Sequence, residues 1–194
     1  MKLDELLVVA AAQWPHKRAL IFPESELTFS NLQANAERKA RSLIGAGVRA
    51  GDHVGILSLN VPEYVESIFA ISMAGATVVP LNARYRGAEL KRVIADSDIR
   101  LLFTTSQFDD RVDFCAQLTD CYPELSASLD PTKLRIGEAP LLESIVVFEA
   151  TQKPGFISST DFDQWGRNVT DDKLIERSVS TGLESISLMI YTSG

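Results

Sequence analysis

Two patterns of apolar residues take turns along the chain. One is a short, nearly unbroken apolar run; the other is a longer stretch in which apolar positions return every three or four residues. Runs of the first kind predict strands at "RALIF" (18–22), "LTF" (27–29), "HVGIL" (53–57), "TVVPL" (77–81), "IRLLFTT" (99–105), "SIVVF" (144–148) and "SISLMIY" (185–191). Between them, helical spacing predicts a first helix ending before Pro15 and a second with Leu32, Ala36, Ala40, Leu43 and Ile44 on one face. A third helix is expected over 61–74, a fourth at "GAELKRVIADSD" (87–98), a fifth over 109–121 and a short one over 161–165. Tyr64, Val65, Ile68, Phe69, Ile71 and Met73 take up so much of the third helix's circumference that both its sides should be covered.

Boundary residues support these elements. Ser30 with Gln33, and Asn60 with Glu63, have the spacing of capping boxes, and Pro62 falls in a first turn where its missing N–H costs nothing. "GAG" (45–47) and Gly75 are placed to end helices, because glycine takes the left-handed cap conformation readily. Strand, helix and strand at these lengths are βαβ units, so the expected fold is α/β: layered α/β/α around a mostly parallel sheet. The rhythm loosens at "YPELSASLDPTKLRIGEAPLLE" (122–143), which reads as a long loop or insertion, and 149–184 is largely polar.

Composition changes this picture little, but charge removes one class of function. A formal net charge of −7 argues against a nucleic-acid binder, which normally presents a basic face. It leaves a nucleotide ligand open, since a phosphate site needs only local donors. Cys115 and Cys121 match no zinc spacing and read as reduced residues of a cytoplasmic protein. The apolar stretch 6–12 is short and preceded by Asp4 and Glu5, unlike a signal peptide, and no run is long enough for a membrane span. His16 and His53 are isolated, so no metal site is expected. Asp109–Asp110 suits a helix start and Asp171–Asp172 a polar loop, with nothing to place carboxylates across a glycosidase cleft. Ser193 lacks the Gly-X-Ser-X-Gly elbow of a hydrolase.

The apolar run 188–191 leads directly into Thr192, Ser193 and Gly194. By residue chemistry alone "TSG" is either a strand-ending turn or a loop whose amides and hydroxyls approach a ligand closely. Three segments bear on the choice. "LTFSNL" (27–32), "SMAGATVVPLN" (72–82) and "SLMIYTSG" (187–194) resemble, in order, the first three signature segments of the adenylate-forming enzymes. That superfamily includes acyl-CoA synthetases, peptide-synthetase adenylation domains and firefly-type luciferases.

The resemblance implies that 1–194 is the leading part of the large N-terminal domain of such an enzyme, ending inside its phosphate-binding loop. Thr192, Ser193 and Gly194 would then contribute to binding the ATP phosphates, with no catalytic residue or metal ligand in this stretch. The implied parent reaction joins a carboxylate to ATP, releases pyrophosphate, and passes the acyl group from its adenylate to CoA. Its cofactors would be ATP, Mg²⁺ and CoA, and the chain alone would be inactive. In "NARYRGAEL" (82–90), Arg84 matches an arginine that CoA ligases commonly carry and that in some relatives contacts the nucleotide part of CoA. Its forked guanidinium suits phosphate; the alternative is a solvated arginine pairing with Glu89. The expected substrate is a fatty, aryl or alicyclic carboxylic acid, and a second copy of the chain is an expected partner. Two other readings stay open: an adenylating enzyme that loads a carrier protein, and a naturally short, non-catalytic binding module.

Overall fold

A computed structural model describes residues 1–108, 110–150 and 152–192. In chain order the elements are α1 (Leu3–Gln13), β1 (Arg18–Phe22), β2 (Ser25–Thr28), α2 (Phe29–Gly45), β3 (His53–Leu57), α3 (Pro62–Met73) and β4 (Thr77–Pro80). They continue with α4 (Gly87–Asp96), β5 (Ile99–Thr104), α5 (Phe114–Cys121), α6 (Glu124–Ala127), β6 (Ser144–Val147), α7 (Ser159–Trp165) and α8 (Asp171–Val179). The chain divides into two compact units, one of Met1–Gly51, Asn60–Thr77 and Asp163–Ser187, the other of Asp52–Leu59, Val78–Phe162 and Leu188–Gly194.

The first unit is a helical layer, α1, α2, α3 and α8, with the antiparallel hairpin β1–β2 packed on α2. Helix α2 starts two residues earlier than expected. Thr28, rather than Ser30, is its N-cap, and the capping box pairs Thr28 with Asn31. The reason is local: the Thr28 hydroxyl lies 3.2 Å from the Asn31 amide and 2.7 Å from the Asn31 side-chain oxygen. At the other end Gly47 has φ +87°, the left-handed conformation that stops the helix. Helix α3 is capped by Val61 without a side-chain bond, so the expected Asn60–Glu63 box does not form, although Pro62 does open the helix. Between α2 and α3, the Lys39 ammonium meets the buried Glu66 carboxylate at 2.6 Å, and Asn35 donates to its other oxygen at 2.7 Å. A buried charge is tolerated only with partners of this kind. Helix α8 is an addition to the sequence reading. Asp171 and Asp172 sit in its first turn beside the Thr170 cap, where acidic residues favour a helix start, and not in a loop.

The second unit is built on a parallel four-stranded sheet in the order β4-β3-β5-β6. Leu101 to Thr104 of β5 face Val54 to Leu57 of β3 on one side and Ser144 to Val147 of β6 on the other. Every residue of β6 is buried, as suits a strand covered on both faces. Leu90, Val93 and Ile94 of α4 and Phe114, Cys115 and Leu118 of α5 join Leu57, Val79, Leu102 and Ile145 in one core. The stretch 122–143 carries only the short α6, yet Tyr122, Leu125, Leu134, Ile136, Ala139 and Leu142 are all buried in that core. Its apolar residues follow no period because irregular backbone, rather than one helix face, delivers them. Helix α5 begins at Phe114, capped by the Asp113 carboxylate 2.8 Å from the Ala116 amide, so Asp110 does not start it and Asp109 lies outside the described residues. Cys115 and Cys121 are free and buried.

The last expected strand does not form as one. Residues 185–191 make a single parallel bridge, Leu188 to Val78, and the Met189 amide donates to the Val78 carbonyl at 2.9 Å. The segment is extended, with Met189 and Tyr191 packed inward on the core and Leu188 and Ile190 exposed, but only one of its edges has a partner.

Candidate functional site

In an open parallel sheet, ligands meet the chain beyond the carboxyl ends of the strands, where loops offer unpaired backbone and short polar side chains. Here β3 is followed by Ser58, β4 by Leu81 and Asn82, β5 by Thr105 and Ser106, and β6 by Phe148 and Glu149. The chain crosses from β3 to β4 on one side and then from β4 back past β3 to β5 on the other, so the switch point of the sheet lies between β3 and β5. Thr104 closes it, its hydroxyl donating to the Leu57 carbonyl at 2.9 Å.

The segment 188–192 runs along the outer edge of β4 and, being parallel to it, carries Thr192 out at this same end of the sheet. Thr192 is exposed, with its hydroxyl open to solvent. Ser193 and Gly194 lie outside the described residues. Arg84 stands in the turn that follows β4. Asn82 shapes that turn, its side-chain oxygen accepting from the Arg84 amide at 3.0 Å and its carbonyl from the Tyr85 amide at 2.9 Å. The Arg84 side chain is exposed, and among the described residues no ion pair with Glu89 holds it. Arg86, two residues on, instead turns back to donate to the Ala83 and Tyr85 carbonyls, both at 2.7 Å. Thr192 and Arg84 therefore follow the same strand, one from its paired neighbour and one from its own turn, with no hydrogen bond joining them.

A cavity of about 470 Å³ opens beside the start of α4, with Arg86, Gly87, Lys91, Gln117 and Cys121 in its lining. Lys91 is held by Glu138 at 2.6 Å, and this bond raises its pKa. Burial pushes the Cys121 thiol up, which keeps it protonated and unreactive. No cluster of three or more histidine, cysteine or acidic side chains suited to a metal ion occurs among the described residues.

Two arrangements went unread in the sequence. The Glu149 carboxylate gathers the loop after β5, accepting from the Thr105 hydroxyl at 2.5 Å, the Ser106 amide at 2.8 Å and the Ser106 hydroxyl at 3.0 Å. It thereby ties the exits of β5 and β6 together, and nothing in "VFEA" announces this. The other is Tyr191, whose hydroxyl donates to the Asp96 carboxylate at 2.8 Å. Burial, then the bond to Asp96, pushes its phenol up to about 12. A phenol inside an otherwise apolar run was the available signal, because its O–H needs a partner when the ring is packed.

The donor set suits anionic oxygens: an exposed hydroxyl at Thr192 and an exposed guanidinium at Arg84. It supplies no base, nucleophile or metal ligand. The family model for AMP-binding enzymes matches residues 7–194. The acyl-CoA ligase sidI of Aspergillus fumigatus is 29% identical over 194 residues, which is 99% of this chain and 31% of that ligase. A feruloyl-CoA synthase of Amycolatopsis is 38% identical over 107 residues, 51% of this chain and 22% of the synthase. Among solved structures, the anthranilate CoA ligase AuaEII in complex with anthranoyl-AMP superposes with a TM-score of 0.66 at 27% identity, covering 86% of this chain and 28% of that one. The chain thus spans no more than about a third of each of these three relatives. It belongs to the AMP-binding enzyme family.

Proposed function

We propose that this member of the AMP-binding enzyme family is the leading part of an ATP-dependent acid–CoA ligase. The parent joins a carboxylic acid to the α-phosphate of ATP, releasing pyrophosphate, and then transfers the acyl group from the adenylate to the thiol of CoA. The observation that carries the reading is the family match across 7–194, over a segment that enters Thr192 parallel to β4.

On this reading Thr192, with Ser193 and Gly194, lends hydroxyl and amide donors to the ATP phosphates, and Arg84 lends its guanidinium to a phosphate of CoA. ATP, Mg²⁺ and CoA are the cofactors of the whole enzyme. Joining a carboxylate to a triphosphate brings two anions together and needs positive charge. Mg²⁺ would supply that charge when bound with ATP, and the residues 1–194 do not replace it. On this reading the isolated chain, which spans about a third of the ligases it resembles, is inactive in adenylation.

Substrate class follows the relatives: feruloyl and anthranilate are aryl carboxylic acids, and an aryl, fatty or alicyclic acid is the expected substrate here. Free buried cysteines suit a reducing compartment and support the cytoplasm as the proposed location. Among the described residues no helix is long and apolar enough to cross a membrane. The exposed Leu188 and Ile190 make a second copy of the chain a further partner.

ATP–pyrophosphate exchange by the full-length enzyme, run against a panel of carboxylic acids, tests this. Exchange that depends on one acid class, followed by CoA-dependent turnover, is expected. Exchange with turnover that responds only to a carrier protein bearing a free thiol would redirect the second step. Pyrophosphate release by residues 1–194 alone would contradict the assignment of the chemistry to the remainder of the enzyme.

A further inference from the structure

We infer that Tyr191 and Asp96 form a positioning pair that sets the path of the ATP-phosphate segment, an inference that rests on the reading of Thr192–Gly194 given above. The segment 188–192 has little else to hold it. Its backbone is fixed by one bridge to Val78 and one hydrogen bond from Met189, and its outer edge is unpaired. Alternate side chains face outward, with Leu188 45% and Ile190 63% exposed. Met189 and Tyr191 face the core, but an apolar contact alone leaves a strand free to slide and twist along it. The Tyr191 hydroxyl adds a directional contact, one residue before Thr192, to a carboxylate on the last residue of α4.

The placement of Asp96 favours this role. At the carboxyl end of a helix the backbone dipole disfavours an anion, and Asp98 adds a second negative charge nearby. A carboxylate there costs α4 stability; what it gains is an ionised acceptor, whose hydrogen bonds are shorter and stronger than neutral ones. The contact joins the extended segment to α4, the helix that follows β4. The same helix begins directly after the turn bearing Arg84, so one rigid element separates the two proposed anion contacts and fixes both.

The test is steady-state ATP–pyrophosphate exchange in the full-length enzyme, with variants that separate the hydrogen bond from the ring and from the charge. Tyr191→Phe keeps the packed ring and loses the donor. Asp96→Ala loses the acceptor while relieving the helix end of its charge. Each should raise KM for ATP by roughly tenfold, the scale of one charge-assisted hydrogen bond, and leave KM for the acid unchanged. The double variant should be no worse than either single one. Asp96→Asn, which retains a carbonyl acceptor without the charge, should give a KM between those of wild type and Asp96→Ala. Hydrogen exchange on the chain 1–194 gives a readout independent of activity: amides at 190–192 exchange faster in Tyr191→Phe while those of β6 do not change. A Tyr191→Phe enzyme with wild-type KM for ATP overturns the inference alone. A wild-type enzyme with no exchange for any acid overturns the functional reading and this inference with it.

Discussion

Residues 144–147 and 188–191 look alike as sequence and behave differently as structure. "SIVV" and "LMIY" are short apolar runs of similar length. The first is strand β6, buried throughout: its register with β5 is continuous, and on its far side Ile157 supplies a bridge and two 2.8 Å backbone hydrogen bonds. The second has one bridge on one edge and shows two of its apolar residues to solvent. An apolar run is buried on all sides when both of its edges find backbone partners and both faces find side chains. Hydrophobicity supplies the faces only.

The largest effect should come from emptying the well-partnered run. Ile145→Ala removes a fully buried side chain, and urea unfolding of 1–194 should show a loss of about 2–5 kcal/mol. Next in size is removing the outer neighbour of β6. Gly155 turns the chain toward Ile157 at φ +79°, and a Cβ there would lie 2.4 Å from the Leu125 carbonyl oxygen. Gly155→Ala should cost at least about 1 kcal/mol and speed hydrogen exchange in β6.

Alkaline titration sharpens the contrast from the other side. A phenol in the unfolded chain ionises near 10, whereas that of Tyr191 ionises at about 12. The folded state therefore holds the proton more tightly across that window. The stability contributed by Tyr191 is complete below pH 10 and is lost as pH rises through 12. In Tyr191→Phe this part of the pH dependence should disappear, which unfolding curves measured between pH 9 and 12 would reveal; an unchanged slope would mean that Tyr191 is not ordered by Asp96. The smallest effect belongs to Ile190→Ala, expected within about 0.5 kcal/mol of wild type, because its side chain is 63% exposed. Light scattering of Ile190→Lys, compared with wild type at high concentration, shows whether the same edge drives self-association.

Much of the architecture was legible because periodicity reports burial. The strand at 53–57 and the helical face of Leu32, Ala36, Ala40 and Leu43 stand where the pattern put them, the latter with all four residues buried. Helix α8 was missed because Leu174 is its only buried residue; docking of the Arg177 guanidinium on the Val48 carbonyl at 2.6 Å, rather than an apolar face, holds it. The helix starts at Thr28 and Val61 were misplaced because capping is a competition between neighbouring hydroxyl and amide groups, decided by the direction from which the chain arrives. At the candidate site, the motif residues Thr192 and Arg84 could be named from their neighbours in sequence. The partners of Tyr191 and Glu149 could not, being 95 and 43 residues away in the chain.

By itself the sequence determined the alternation of strand and helix, the parallel sheet that such alternation requires, and the family whose signature segments it carries in order. These depend on short-range spacing, and spacing is printed in the chain. The tertiary structure decided which apolar run became a buried strand, how the unperiodic stretch 122–143 entered the core, and which carboxylates hold the loop after β5 and the segment 188–192. Those outcomes depend on the directions of hydrogen bonds between residues far apart in sequence, and a hydrogen bond exists only once both its partners have been brought within reach.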